Sequence, residues 1–246
     1  MKSRLDKLLV DRGIVPSRER AQALILAGKV LVNDQKLEKS GAPVDSESVI
    51  RLLGEDLKYV SRGGLKLERA LDQWSIDVSG KVCLDVGAST GGFTDCLLQR
   101  AARKVIAVDT GYGQMSFKIR EDPRVRLLEK TNARYLTREA LGEFADFIVM
   151  DVSFISATLV LPAVISAAFP EDRQGRRIVV LVKPQFEAGK EFVGKGGIVK
   201  DEEAQNAAVE RVRSSLMAQG AKQTDSIDSP ILGAEGNREI LLCAVF

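Results

Sequence analysis

The chain of 246 residues carries 36 Lys and Arg against 34 Asp and Glu, 45% hydrophobic residues and no histidine, a composition for one large globular domain or a large and a small one. Without histidine there is no Ser-His-Asp triad, no His-ligated zinc and no imidazole base, so proton transfer falls to carboxylates, lysines or a cofactor. Three cysteines without a CxxC pair, no signal-peptide core at the start and no apolar run near the ~20 residues of a membrane span lead us to expect a reduced, cytoplasmic protein with no bound metal and no stable membrane association.

The positive charge is uneven along the chain. Residues 1–40 hold nine Lys and Arg against five acids, and Lys58, Arg62 and Lys66 form a second basic stretch, the footprint of a polyanionic partner. Ser3-Arg4-Leu5-Asp6 reads as a capping box, with Ser3 as N-cap, opening a helix that stops at Gly13. A second helix follows Pro16-Ser17, with Ala21, Leu24 and Ile25 at helical spacing, and ends at Gly28. Val30-Leu31-Val32 is a short strand turning at Asn33-Asp34. Arg4, Lys7, Arg18 and Arg20 lie off the apolar stripe, where they can meet a phosphate backbone.

From Gly80 onward strands alternate with helices. Buried-strand runs occur at 82–86, 105–108, 147–150 and 178–182, helical segments at 93–102, 156–168 and 202–219, and a closing antiparallel pair at 223–228 and 239–246. This alternation predicts a doubly wound α/β sheet with ligands at the carboxyl ends of its strands. After the first strand, Asp85-Val86-Gly87-Ala88-Ser89-Thr90-Gly91-Gly92-Phe93 is a glycine turn into a helix. Its Gly-x-x-x-Gly-Gly spacing is not the dinucleotide fingerprint and no Walker Lys follows, so a phosphate-free nucleoside such as S-adenosylmethionine suits it better. Asp109 closes the second strand, where an acid can hold ribose hydroxyls. Asp151 ends the third, and Lys183 directly follows the apolar run Ile-Val-Val-Leu-Val of the fourth. The segment 189–197, glycine-rich and basic, reads as a loop closing over RNA through Lys190 and Lys195. Tyr112, Phe154 and Phe186 are available for stacking on bases.

"RLDKLLVDRGIVPSRERAQALILAGKVLVND" closely resembles the S4 RNA-binding domain, and "DVGASTGGFTD", "MDVSFIS", "LVKPQFEAG" and "GNREILL", joined to it through "YVSRGGLKL", resemble the TlyA family. The resemblance implies a Rossmann-like, FtsJ-like methyltransferase sheet behind a small α+β S4 domain, divided as 1–56, a linker 57–65, and 66–246. It implies S-adenosylmethionine-dependent 2′-O-methylation of ribosomal RNA at cytidine, with rRNA or ribosomal subunits as partners. It also implies a Lys-Asp-Lys-Glu tetrad matched by Lys66, Asp151, Lys183 and Glu239. Asp85, Gly87, Ala88, Ser89, Thr90, Gly91, Gly92, Phe93, Asp109 and Asp151 would surround the cofactor. Arg4, Lys7, Arg18, Arg20, Arg62, Lys190 and Lys195 would meet RNA. Gln205 stands where family members often have histidine, outside the tetrad. The family's other label, haemolysin, and a catalytically inactive ribosome assembly factor are the rival readings.

Overall fold

The computed structural model describes residues 2–53, 58–172, 174–233 and 236–246. Its compact units are residues 1–57 and 58–246. The expected boundary at 56 and 57 lies outside the described residues. Residues 58–65, expected as linker, belong to the second unit, where Tyr59 is buried.

In the first unit β1 (Lys2–Arg4) leads straight into α1 (Leu5–Asp11) and α2 (Arg18–Leu26), followed by β2 (Val30–Val32), β3 (Gln35–Lys36), β4 (Pro43–Asp45) and β5 (Ile50–Leu52). β2 pairs antiparallel with β3 and β5, and β1 with β4. The two-residue turn between β2 and β3 is the expected one, with Asn33 and Asp34 both at positive φ (49° and 63°), as a hairpin turn matching the strand twist requires. Ser17 caps α2 by accepting from the Arg20 N–H at 3.2 Å. The expected capping box at Ser3 does not form. Ser3 is drawn into the β1–β4 ladder opposite Val44, α1 starts one residue later, and the side chain of its N-cap Arg4 makes no capping bond. Asp6, in the first turn of α1, is fully buried instead, and Leu5, Leu9, Ala21 and Ile25 of α1 and α2 make the core.

The second unit runs α3 (Gly63–Gln73), β6 (Val82–Val86), α4 (Gly92–Gln99), β7 (Lys104–Val108), α5 (Phe117–Arg120), β8 (Val125–Leu128), α6 (Arg138–Leu141), β9 (Phe147–Met150), α7 (Leu161–Ala168), β10 (Arg177–Val182), α8 (Pro184–Glu187), α9 (Glu202–Ala218), β11 (Gln223–Asp228) and β12 (Ile240–Val245). One sheet holds all seven strands in the order β11-β12-β10-β9-β6-β7-β8, with β12 antiparallel to both neighbours and the other pairs parallel. The α/β expectation holds. The helix expected over 156–168 is split, because Pro162 fits only the first turn of an α-helix: a 3₁₀ turn spans Ala157–Leu159 and α7 starts at Leu161.

Alternation along the strands builds two cores. Leu84, Ile106, Ile148 and Val180 face α7 and α9; Cys83, Val105, Val149 and Leu181 face α3 and α4. The chain winds outward from β6 to β8 and then returns to β9, so strand order reverses between β6 and β9. Ligands of doubly wound sheets bind at such a switch point. Register sharpens the point: Val86 lies opposite both Val108 and Met150, so Gly87, Asp109 and Asp151 leave the sheet side by side.

Candidate active site

The glycine turn between β6 and α4 is shaped by one close approach. Gly87 has φ +85°, and a Cβ there would stand 2.2 Å from the Asp151 carbonyl oxygen, so any side chain would push the β6 and β9 ends apart. Ser89, at φ +47°, is held in place by Asp109. One Asp109 oxygen accepts the Ser89 N–H at 2.7 Å and the other the Gly111 N–H at 2.7 Å. A carboxylate has about four acceptor positions, so Asp109 keeps acceptor capacity toward the cavity it lines.

That cavity has a volume of about 460 Å³, within the range of small-molecule sites. Gly87, Ser89, Asp109 and Asp151 line it, together with Gln114, Thr131, Asn132 and the segment Val152–Ile155. Among the described residues its walls hold two acids, Asp109 and Asp151, and no Lys or Arg. They suit a cationic nucleoside and offer no charged partner to a phosphate, so the residues present fit S-adenosylmethionine. A smaller cavity of about 160 Å³ shares Gly87, Ser89 and Asp151 with the first and adds Ser61, Lys66, Ala88, Thr90, Gly92 and Phe93. Asp151 stands where the two meet.

The four tetrad residues come together as two pairs. Lys66, in the first turn of α3, puts Nζ 2.5 Å from Glu239 Oε2, both side chains buried. Gly233 packs so closely on Glu239 that a Cβ would come within 2.5 Å of Oε1. Lys183 lies at the end of β10, one step past the Val182–Ile240 pairing that would set it beside Glu239. Its Nζ turns the other way, 2.6 Å from Asp151 Oδ1, and donates to Ser153 Oγ at 2.7 Å. The Asp151 contact is an ion pair without hydrogen-bond alignment, which leaves buried Oδ1 with an acceptor position unused.

Other expected residues fall elsewhere. Asp85 is fully buried under the turn and lines neither cavity; its Oδ2 accepts from Thr94 Oγ1 at 2.6 Å while Oδ1 accepts nothing. Burial pushes its carboxyl up to about 7. Gly91 lines neither cavity. Asp85 therefore supports the turn from beneath; it is not placed to touch a ligand. Of the residues expected to meet RNA, Lys7, Lys190 and Lys195 are exposed, and Arg62 reaches the Leu232 carbonyl at 3.4 Å. Arg4 and Arg18 are half-exposed and pair with Asp6 at 3.0 Å; Arg20 is half-buried. The 189–197 loop is pinned behind its tip by buried Asn237, which donates to the Gly197 carbonyl and accepts the Val199 N–H. Gln205 is buried and donates to the Val199 carbonyl at 2.8 Å, which gives it a place in that anchor and none in the tetrad.

Gln114, Thr131 and Asn132 escaped sequence reasoning. The signal available was the polar run Lys130-Thr131-Asn132 after a strand, but Val125-Arg126-Leu127-Leu128 does not read as a buried run, so the strand before it went unseen.

The geometry has a counterpart in known proteins. The family model described as FtsJ-like methyltransferase matches residues 59–246, and that of the S4 domain matches residues 3–50. The chain belongs to the FtsJ-like methyltransferase family. It is 43% identical to the 16S/23S rRNA (cytidine-2′-O)-methyltransferase TlyA of Mycobacterium tuberculosis, over 98% of this chain and 89% of that one. It is 42% identical to Hemolysin A of Brachyspira hyodysenteriae, over 97% and 98%. A solved structure from Streptococcus thermophilus that carries a hemolysin name superposes with a TM-score of 0.74 at 40% identity, covering 99% of this chain and 88% of that one. The FtsJ-like unit accounts for the cationic-nucleoside cavity, since enzymes of this family take the methyl group from S-adenosylmethionine. Among the described residues no helix is long and apolar enough to cross a membrane.

Proposed function

We propose that this chain methylates the ribose 2′-hydroxyl of a cytidine in ribosomal RNA, working in the cytoplasm on rRNA or on ribosomal subunits. The observation that carries the reading is Asp151, which stands where the two cavities meet, with Lys183 Nζ 2.6 Å from it and Lys66 lining the smaller cavity, fixed by Glu239.

When bound in the larger cavity, S-adenosylmethionine supplies a methyl group activated by its sulfonium. The protein's task is then to place the hydroxyl in line and remove its proton. Lys183, having first released the proton of its ion pair with Asp151 to solvent, takes up the hydroxyl proton at its neutral Nζ as the methyl group is transferred. Asp151, already 2.6 Å away, stabilises the ammonium that results. Lys66, held by Glu239, sets positive charge beside the oxygen as it sheds its proton. Phe154 is 92% exposed, its ring 5.3 Å from that of Phe186, and it offers a face on which an extruded base can stack. Exposed Tyr112, under Lys130, offers a second. Lys7, Arg4 and Arg18 of the S4 domain supply phosphate contacts that position the substrate without reading its sequence.

The test is to incubate the purified protein with radiolabelled cofactor and naked rRNA, 30S, 50S or 70S particles, and to digest the product to nucleosides. Label in 2′-O-methylcytidine is expected. Lys183→Ala should lower the rate by about 10²–10⁴-fold with cofactor affinity nearly unchanged. Label on a base, or a Lys183→Ala protein of wild-type rate, would sink the assignment. So would lysis of vesicles by the protein without any methyl transfer, as the hemolysin name carried by some relatives would require.

A further inference from the structure

Two segments carry half of the tetrad: the loop Asp151–Ala157 after β9 and the turn Lys183–Glu187 after β10. They are fastened to each other at several points. Lys183 Nζ meets Asp151 and Ser153. The Phe154 and Phe186 rings pack at 5.3 Å, tilted by 49°. Finally, Glu187 Oε2 accepts from Ser156 Oγ and Oε1 accepts the Ala157 N–H, each at 2.6 Å.

These ties differ in what else they have to do. Lys183, Asp151 and Phe154 are the groups that the proposed reaction turns toward the acceptor nucleotide, so their mutual contacts are the ones that loosen as it binds. Glu187 lines neither active-site cavity and is 3% exposed. A carboxylate removed from water this far is expensive unless it is fully paired, and burial does push the Glu187 carboxyl upward, with the Ser156 and Ala157 bonds pulling the other way. The residue is anchored from behind as well, because Arg211 of α9 donates to its backbone carbonyl. The loop it grips is strained: Phe154 sits at φ +63°, a conformation that a bulky residue keeps only where its surroundings over-determine it.

We propose that Glu187 is a positioning residue for methyl transfer: it holds the Asp151–Phe154 loop in register with Lys183 while those groups engage the substrate. This rests on the tetrad reading above.

The test uses the full-length chain with Glu187→Ala, Glu187→Gln and Ser156→Ala beside wild type. It measures cofactor affinity by calorimetry, kcat and KM on naked rRNA, and hydrogen exchange over residues 153–157. Glu187→Ala should leave cofactor affinity within about twofold and lower kcat by about 100-fold, the cost of a misplacement near 1 Å, with faster exchange at the Ala157 amide. Glu187→Gln keeps an acceptor for Ala157 and should recover most of the rate. Ser156→Ala removes one of the two bonds and should fall between, which keeps the proposal testable if Glu187→Ala does not fold. A Glu187→Ala protein with wild-type kcat would overturn the role. So would parallel losses of cofactor binding, kcat and melting temperature, with no rescue by glutamine. A wild-type protein that methylates no RNA would overturn the reaction and this role together, whereas an active wild type beside an equally active Glu187→Ala would overturn the Glu187 role alone.

Discussion

Asp85 and Glu187 are both buried carboxyls of the methyltransferase unit, and their partners separate them. Glu187 accepts two bonds and pins a loop; Asp85 has one bond, from Thr94, and an oxygen with none. With so little compensation, burial holds the Asp85 carboxyl protonated up to about pH 7. The consequence for stability has a definite sign. Below about pH 4 the group is neutral in the folded and unfolded chain alike. Between there and about 7 only the unfolded chain ionises, so the folded state loses ground as pH rises, at about 1.4 kcal/mol per unit. Asp85→Asn imitates the protonated acid and still accepts from Thr94. It should cancel this loss, on the order of 4 kcal/mol across the window. Denaturant midpoints at pH 4.5 and pH 8 check it: the variant should gain on wild type between the two, and parallel profiles would show that Asp85 is ionised in the folded protein.

At the scale of elements, what the sequence revealed follows from how each element is stabilised. The strands β6, β7, β9 and β10 are covered on both faces and read as continuous apolar runs, so they were legible to within a residue. β8 is an outer strand whose Arg126 turns to the Ala140 and Leu141 carbonyls; with a charge in mid-strand it left no apolar signature. α3 opens with Gly63-Gly64, which resembles a linker until tertiary packing is known: a Cβ on Gly64 would collide with the Tyr59 ring at 2.2 Å. The capping box at Ser3 failed for another reason, since a strand pairing competed for the same backbone. Asp6, read as part of that box, gathers Arg4, Arg18, Gln22 and the Lys7 N–H instead. The bond from Arg4 foremost holds its carboxyl well below the usual range. A lowered acid contributes stability above its unfolded value of about 3.9, and that contribution fades as pH falls toward the folded one. Asp6→Ala should therefore destabilise the S4 unit by roughly 2 kcal/mol at neutral pH, the ion pairs counting little because both guanidiniums are half in water. The difference from wild type should shrink in acid. Hydrogen exchange of residues 5–26 is the readout, and a loss that stays constant down to pH 2 would show that packing carries the effect.

For the molecule as a whole, a net charge of +2 conceals less than the first 40 residues suggest. Counted to residue 57, the S4 unit holds ten Lys and Arg against nine acids, so it is not a basic domain in sum. What suits it to a polyanion is placement: Asp6 is buried and consumes an acid, while Arg4, Lys7 and Arg18 remain at the surface around it. The pairing within the proposed tetrad, Lys66 with Glu239 and Lys183 with Asp151, could not be read from sequence, because sequence separation says nothing about which lysine turns to which acid. If the S4 unit contributes phosphate contacts alone, binding to rRNA must weaken with salt, and each lost contact must flatten that dependence by a fixed step. Among the described residues Lys7 makes no ion pair that would have to break first, and it lines neither cavity, which makes it the cleanest probe. Lys7→Ala should reduce the slope of log affinity against log salt by about 0.7–0.9, lower affinity for unrelated RNA sequences equally, and leave the rate of the bound complex at saturating rRNA unchanged. Filter binding from 50 to 200 mM salt measures the slope and single-turnover methylation the rate. A loss confined to one RNA sequence, with the slope intact, would mean that Lys7 reads bases and that the S4 unit does more than position its substrate.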